Sequence, residues 1–403
     1  MQVVVIPDHR APVVTQMIWY KVGGMDDPAG HSGLAHFFEH MMFRGTKAEP
    51  GDSFSRLVAK NGGEDNAFTT EDYTAFYVQI ARDRLKLVMG LEADRMAHLD
   101  LSDTGVKTER DVVLEERRMR VDNVPASLAA EQVDAALYLS HPYGRPVIGW
   151  PDEVHRLGRA EAQDFYDRHY APNNAILVEV GDVTPEEVKA TAAETLAKVP
   201  ARILDPRTVY AEPARLGETR LAIARPDASV PSFSRSWRVA SYSEGRPGQA
   251  EALEILAALL GGDANAVLYR TLVVEQKLAT DAGASYDGDA RNAGAFSVYA
   301  TPRPRRDAAQ ARTGDRCDPR RLRPDAARRI GARAYQDPAH RQRCVPPRQP
   351  APARHRLRPG ARRRPRRRRR AELVACHPGG RRRRRARGRR RTACPPASPS
   401  RSI

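Results

Sequence analysis

Along the first 200 residues the apolar positions switch between a period of two and a period near four, and the switches outline the elements. Residues 2–6 and 13–23 alternate as strands do, with PDHRAP as the turn between them. Gly23, Gly24, Pro28, Gly30 and Gly33 make a loop that leads into a helix over 34–44. Pro50 and Asp52 open a second helix, FSRLVAK, which Gly62 and Gly63 stop. The β-branched and aromatic run over 66–80 predicts two antiparallel strands. Helices follow at 83–100, 107–122 and 125–139, the last ending at His141-Pro142. After the loop HPYGRPVIGWP come a helix over 159–168, a strand over 174–181 and a helix over 185–197 begun by Pro185.

The pattern then repeats. GQAEALEILAALLGGD (248–263) lies on HSGLAHFFEHMMFRGT (31–46) at a constant offset of 217. LYRTLVVEQK and the strand-like ASYDGDARNAGAFSVYA follow in the order of the first copy. The expected fold class is α+β: two homologous α/β half-domains, each a mainly antiparallel sheet flanked by helices. The first half takes 1–203, and the second, shorter and incomplete, takes 204–301.

Within the first copy, His36, Glu39 and His40 spell H-x-x-E-H. On a helix these positions share one face, so two imidazoles and a carboxylate enter one small volume. That set suits a zinc ion held by two histidines, with a carboxylate beside it to take a proton from water. The pattern is short, and a helix rich in Leu34, Phe37, Phe38, Met41, Met42 and Phe43 also suits plain core. The repeat bears on the choice, because the three polar residues fall on Leu253, Leu256 and Ala257 in the second copy. Three polar groups on a face meant for burial are costly unless they do chemistry. A third ligand has candidates in ERDVVLEERRMR: Glu109 and Glu116 are two turns apart on one face, and Glu115 points elsewhere. Charged helices of this kind are commonly only solvated surface.

Composition changes the picture in the last quarter. The net charge of +17 hides a break: 302–403 hold 35 Arg, no Lys and 6 acidic residues, which leaves 1–301 with 32 basic against 44 acidic side chains. This tail, with runs such as ARRRPRRRRR, is expected to be disordered, for it lacks the apolar residues that offset chain entropy. One reading makes it an arginine-rich arm for nucleic acid or acidic surfaces. The favoured one makes it an out-of-frame reading of GC-rich DNA, because the break follows the strand-like AGAFSVYA in mid-domain. Cys317, Cys344, Cys376 and Cys394 all lie there, so 1–301 offer no disulfide framework and no zinc–thiolate site. No run of about 18 apolar residues predicts a membrane span. The N-terminus starts directly in a strand-like run, which reads as cytoplasmic, or as periplasmic if a leader precedes it.

HFFEH, GGEDNAFTTEDYTAFY, ERDVVLEERRMR and HPYGRPVIG together resemble the pitrilysin/insulinase-type zinc peptidases, in particular bacterial subunits similar to mitochondrial processing peptidase. The resemblance covers about 1–301. It implies that His36, His40 and Glu116 bind one zinc ion, that Glu39 is the general base, and that Glu109 supports a ligand. It also implies that Asn66, Ala67, Phe68 and Thr69 form an edge strand along which an extended peptide pairs. There is one departure. Where the family commonly has an Arg and, seven residues on, a Tyr that help hold substrate, this chain has Val273 and Thr280. A heterodimer partner supplying that pair is therefore expected. The other readings are a non-catalytic, core-type subunit and, less favoured, nucleic-acid binding through the tail.

Overall fold

In the computed structural model, residues 1–228 and 230–303 are described. The first half runs β1 (Gln2–Pro7), β2 (Val13–Tyr20), α1 (Leu34–Met41), α2 (Ser53–Lys60), β3 (Glu64–Thr69), β4 (Thr74–Ala81), α3 (Leu85–His98), α4 (Asp103–Arg117), α5 (Pro125–Leu137), the short α6 (Pro151–Val154), α7 (Arg159–His169), β5 (Ala175–Gly181) and α8 (Pro185–Glu194). The sheet order is β1-β5-β2-β4-β3. Only β1 and β5 run parallel; the other pairs are antiparallel.

Alternation sets which face is buried. In β2, Val14, Gln16, Ile18 and Tyr20 are buried while the residues between them stay partly open. Val14, Ile18 and Tyr20 join Phe76, Val78, Ile80 and Leu177 in one core with Phe37 and Phe38 of α1 and Phe165 of α7. A slip of one residue would turn this set to the other face, so the register is strongly specified.

The second half has β6 (Phe233–Val239), α9 (Gln249–Gly261), α10 (Val267–Tyr269), β7 (Ala279–Tyr286) and β8 (Gly294–Pro302), the last reaching one residue past the expected break. Its sheet order, β6-β8-β7, copies β2-β4-β3, and both of its pairings are antiparallel. Both α1 and α9 follow a glycine in the left-handed region, Gly33 at φ +87° and Gly248 at φ +82°. The second core is small, built on Leu268, Leu272, Ala279 and Ala282, with Val273 packed against it. Of the three α9 counterparts, Ala257 is buried, Leu253 is half-buried and Leu256 is 42% exposed, so that face is apolar without being closed core. The expected tail disorder and the four cysteines lie outside the described residues.

Candidate metal centre

Helix α1 has only eight residues and is held from outside itself. The Asp27 carboxylate accepts the N–H groups of Gly33 and Ala35, each at 2.8 Å, and so satisfies donors that a helix start leaves open. The loop at 141–150 fixes the same end. A Cβ on Gly33 would stand 2.8 Å from Gly149 Cα and Ile148 O, and Trp150 N–H donates to Ser32 Oγ at 3.0 Å. Leu34, Phe37, Phe38 and Met41 of α1 are fully buried on one side, which leaves His36, Glu39 and His40 turned toward α4 and β3.

Helix α4 starts on the Ser102 hydroxyl, which accepts from Gly105 N–H at 3.0 Å. Glu109 and Glu116 share the face toward α1, and Glu115 turns outward to Arg118 at 2.6 Å. The end of the helix is clamped by Arg117, which donates to both Glu131 oxygens at 2.7 and 3.0 Å and to Gly149 O at 2.9 Å. The backbone then widens into a π turn over Arg118–Asp122.

Between the two helices, His36, His40 and Glu116 bring one ligand atom each to within 4.8 Å of one another. Glu116 Oε2 lies 3.6 Å from His36 Nε2 and 3.3 Å from His40 Nε2. Tetrahedral zinc with bonds of about 2.0–2.1 Å separates neighbouring ligands by roughly 3.4 Å, so these spacings fit. Glu116 Oε2 is buried and accepts no hydrogen bond, an orphan that a cation would satisfy. His40 Nδ1 sits 3.1 Å from Glu109 Oε2, which orients the ring with Nε2 on the side of Glu116. His36 has no such support, for its Nδ1 is buried and unpaired. Burial, and then the neighbouring His40, push the His36 imidazole down to about 4, so it is neutral at pH 7. The His40 imidazole, and after it His36 and Arg120, hold the Glu116 carboxyl below its ordinary value. These residues fit zinc: two imidazoles and one carboxylate, all nitrogen and oxygen donors.

A groove of about 640 Å³ opens over this centre, with β3 along one side. Among the described residues the strand is an edge, paired only with β4. Thr69 turns inward, and its hydroxyl donates to Glu39 Oε2. Burial raises the Glu39 carboxyl above its ordinary value, and the Thr69 bond opposes that. Phe68 lines the groove and meets Trp19, 5.6 Å away between ring centroids. Asn66 is exposed, and its Oδ1 accepts the Ala67 N–H at 2.8 Å. Arg120, Val121, Val147 and Ile148 form another part of the groove lining, as does Arg44, just past the end of α1. Sequence reasoning missed that part of the groove. Arg120 alone had a signal, being four residues past Glu116.

A two-half α+β fold with an H-x-x-E-H helix and a glutamate from a second helix defines the class of zinc metallopeptidases with the inverted motif. Residues 2–150 match the model of the insulinase family (peptidase family M16), and 156–313 match the peptidase M16 inactive domain. The chain belongs to this family. It is 29% identical over 286 residues to the zinc protease PqqE of Helicobacter pylori, a match covering 70% of this chain and 64% of that one. It is 33% identical over 291 residues to a zinc protease of Mycobacterium tuberculosis, covering 72% and 65%. The crystal structure of a protease from Helicobacter pylori superposes with a TM-score of 0.69 at 28% identity, covering 77% of this chain and 75% of that one. The chain thus spans about 64–65% of the length of these curated relatives.

Proposed function

We propose that this chain is a zinc-dependent endopeptidase that cleaves extended peptides laid along β3. The observation that carries the reading is the meeting of His36 Nε2, His40 Nε2 and the orphaned Glu116 Oε2 beneath an open strand edge. His36, His40 and Glu116 would hold the ion, with Glu109 keeping His40 in the required tautomer. Bound zinc acidifies water and polarises a carbonyl oxygen. Glu39 is the general base: its carboxylate faces the same groove, and the Thr69 hydroxyl keeps one oxygen oriented while the other stays available. The same group can return the proton to the departing amine. Backbone groups of Asn66 to Thr69 on the strand edge align the peptide by β-addition.

Val273 is taken up by the second core, and Thr280 Oγ1 donates to Thr301 O, so neither is a cation or a phenol that could clamp substrate. This supports a partner chain that brings such groups, with full activity only in a heterodimer. The test is metal analysis together with peptide hydrolysis, for the chain alone and with candidate partners. One zinc per chain is expected, retained by Glu39→Gln while turnover falls about 100-fold or more. Normal cleavage by Glu39→Gln would remove Glu39 from the base role, and a zinc-free chain would favour the non-catalytic subunit.

A further inference from the structure

Arg120, in the π turn that directly follows the Glu116 turn of α4, lines the same groove as β3. Its Nη1 lies 2.7 Å from Glu116 Oε1, the oxygen turned away from the histidines. Among the described residues the guanidinium meets no second carboxylate, and its side chain is 72% exposed. A guanidinium carries five N–H donors in a planar fork. One edge is engaged with Glu116, and the Nε–Nη2 edge remains for another planar acceptor. Arg44, the other arginine lining the groove, differs in this respect: it contacts Glu109 Oε1 and is only 36% exposed. Val121, Val147 and Ile148 are apolar residues of the same groove lining.

We propose that Arg120 is a specificity-determining residue that selects peptides with an acidic side chain facing the Val121–Val147–Ile148 wall. The inference rests on the peptidase reading and adds the substrate class to it. A peptide strand on β3 presents alternate side chains to the two sides of the groove. Those on the α4 side pass Arg120, and a carboxylate there completes the second edge of the fork while Glu116 keeps the first. A lysine side chain at that place meets a second cation and gains no such bond. A lysine in place of Arg120 would hold Glu116 but lacks the second edge.

The test uses the full chain loaded with zinc and a set of fluorogenic peptides in which a single Glu, Gln or Lys is walked through the positions flanking the cleaved bond. At one position kcat/KM is expected to favour Glu over Gln by about fivefold, the upper range of an exposed ion pair, and to disfavour Lys. Arg120→Gln should erase that preference, Arg120→Lys should weaken it, and Arg120→Glu should invert it. Zinc per chain is measured for each variant, and where Arg120→Glu loses zinc, Arg120→Gln decides. Indifference to charge in the unaltered chain, or a preference unchanged in zinc-loaded Arg120→Gln, overturns the proposal while leaving the peptidase reading intact. If no peptide is cleaved by the chain alone or with a candidate partner, that reading fails. The same peptides, labelled and titrated onto the Glu39→Gln chain by fluorescence anisotropy, then decide Arg120: binding at least fivefold tighter for Glu supports its role, and charge-blind or absent binding refutes it.

Discussion

Glu109 is the place where the metal centre can be perturbed without touching a ligand. Its two oxygens serve two donors: Oε2 lies 3.1 Å from His40 Nδ1, and Oε1 meets the Arg44 guanidinium. It is 4% exposed, so water cannot substitute for either partner. Glu109→Gln keeps the shape but offers one acceptor oxygen where two are needed. Either His40 or Arg44 then faces an NH₂ group. The lost charge-assisted bond is worth about 1.5–3 kcal/mol, or roughly 10- to 100-fold in zinc affinity, the range typical of groups that orient a ligand. Competition against a chromophoric chelator at fixed pH reads that constant directly. Adding Arg44→Ala frees the amide oxygen to turn to His40, so the double variant should bind zinc more tightly than Glu109→Gln alone. That non-additivity separates orientation from general damage. A zinc affinity for Glu109→Gln within about twofold of the unaltered chain would show that Glu109 does not orient His40.

Other substitutions probe the surrounding structure. Thr69→Val removes the hydroxyl that steadies ionised Glu39, so the acid limb of the pH–rate profile should move up by about one pH unit; an unmoved limb would mean that the bond does not form in solution. Arg117→Met leaves the buried Glu131 carboxylate unpaired and should cost about 3–5 kcal/mol in urea denaturation, much of it recovered when Glu131→Leu is added. Glu179, fully buried with neither oxygen hydrogen-bonded, is pushed up to about 9 from 4.5 by burial. Below pH 4.5 both states hold its proton; from there to pH 9 only the folded state does, so stability falls as pH rises. Glu179→Gln should therefore gain about 3 kcal/mol over the unaltered chain at pH 7 and nothing at pH 4, and parallel stability curves would refute the buried carboxyl as their source.

How much of this was legible in the sequence follows from where each feature gets its information. The α1 residues declared themselves because a metal centre imposes types and spacing within a single turn of helix, and the second copy displayed the same helix without them. Its apolar counterpart is less buried than expected, with Leu256 and Ile255 open, so the contrast argued for chemistry more weakly than the sequence suggested. Glu109 and Glu116 could be placed on one face by period alone, but only the fold brings that face to α1. The helices at 83–100 and 107–122 were legible as periods while their ends were not: the first opens with a 3₁₀ turn over Arg82–Arg84, and the second closes in a π turn. Strand β6 escaped notice, and so did the parallel β1–β5 pairing, which joins residues about 174 positions apart. The groove wall is the clearest case. Arg120, Val121, Val147 and Ile148 come from a widened helix end and a loop, and nothing in their local pattern distinguishes them from surface. They come together in one groove because Arg117, clamped to Glu131 and Gly149 O, draws the end of α4 against the 141–150 loop. The candidate ligand set is thus written in local spacing, and the groove around it in contacts that no local pattern encodes. Substitutions in α1 should accordingly abolish activity, and substitutions in that wall should change which peptide is cut.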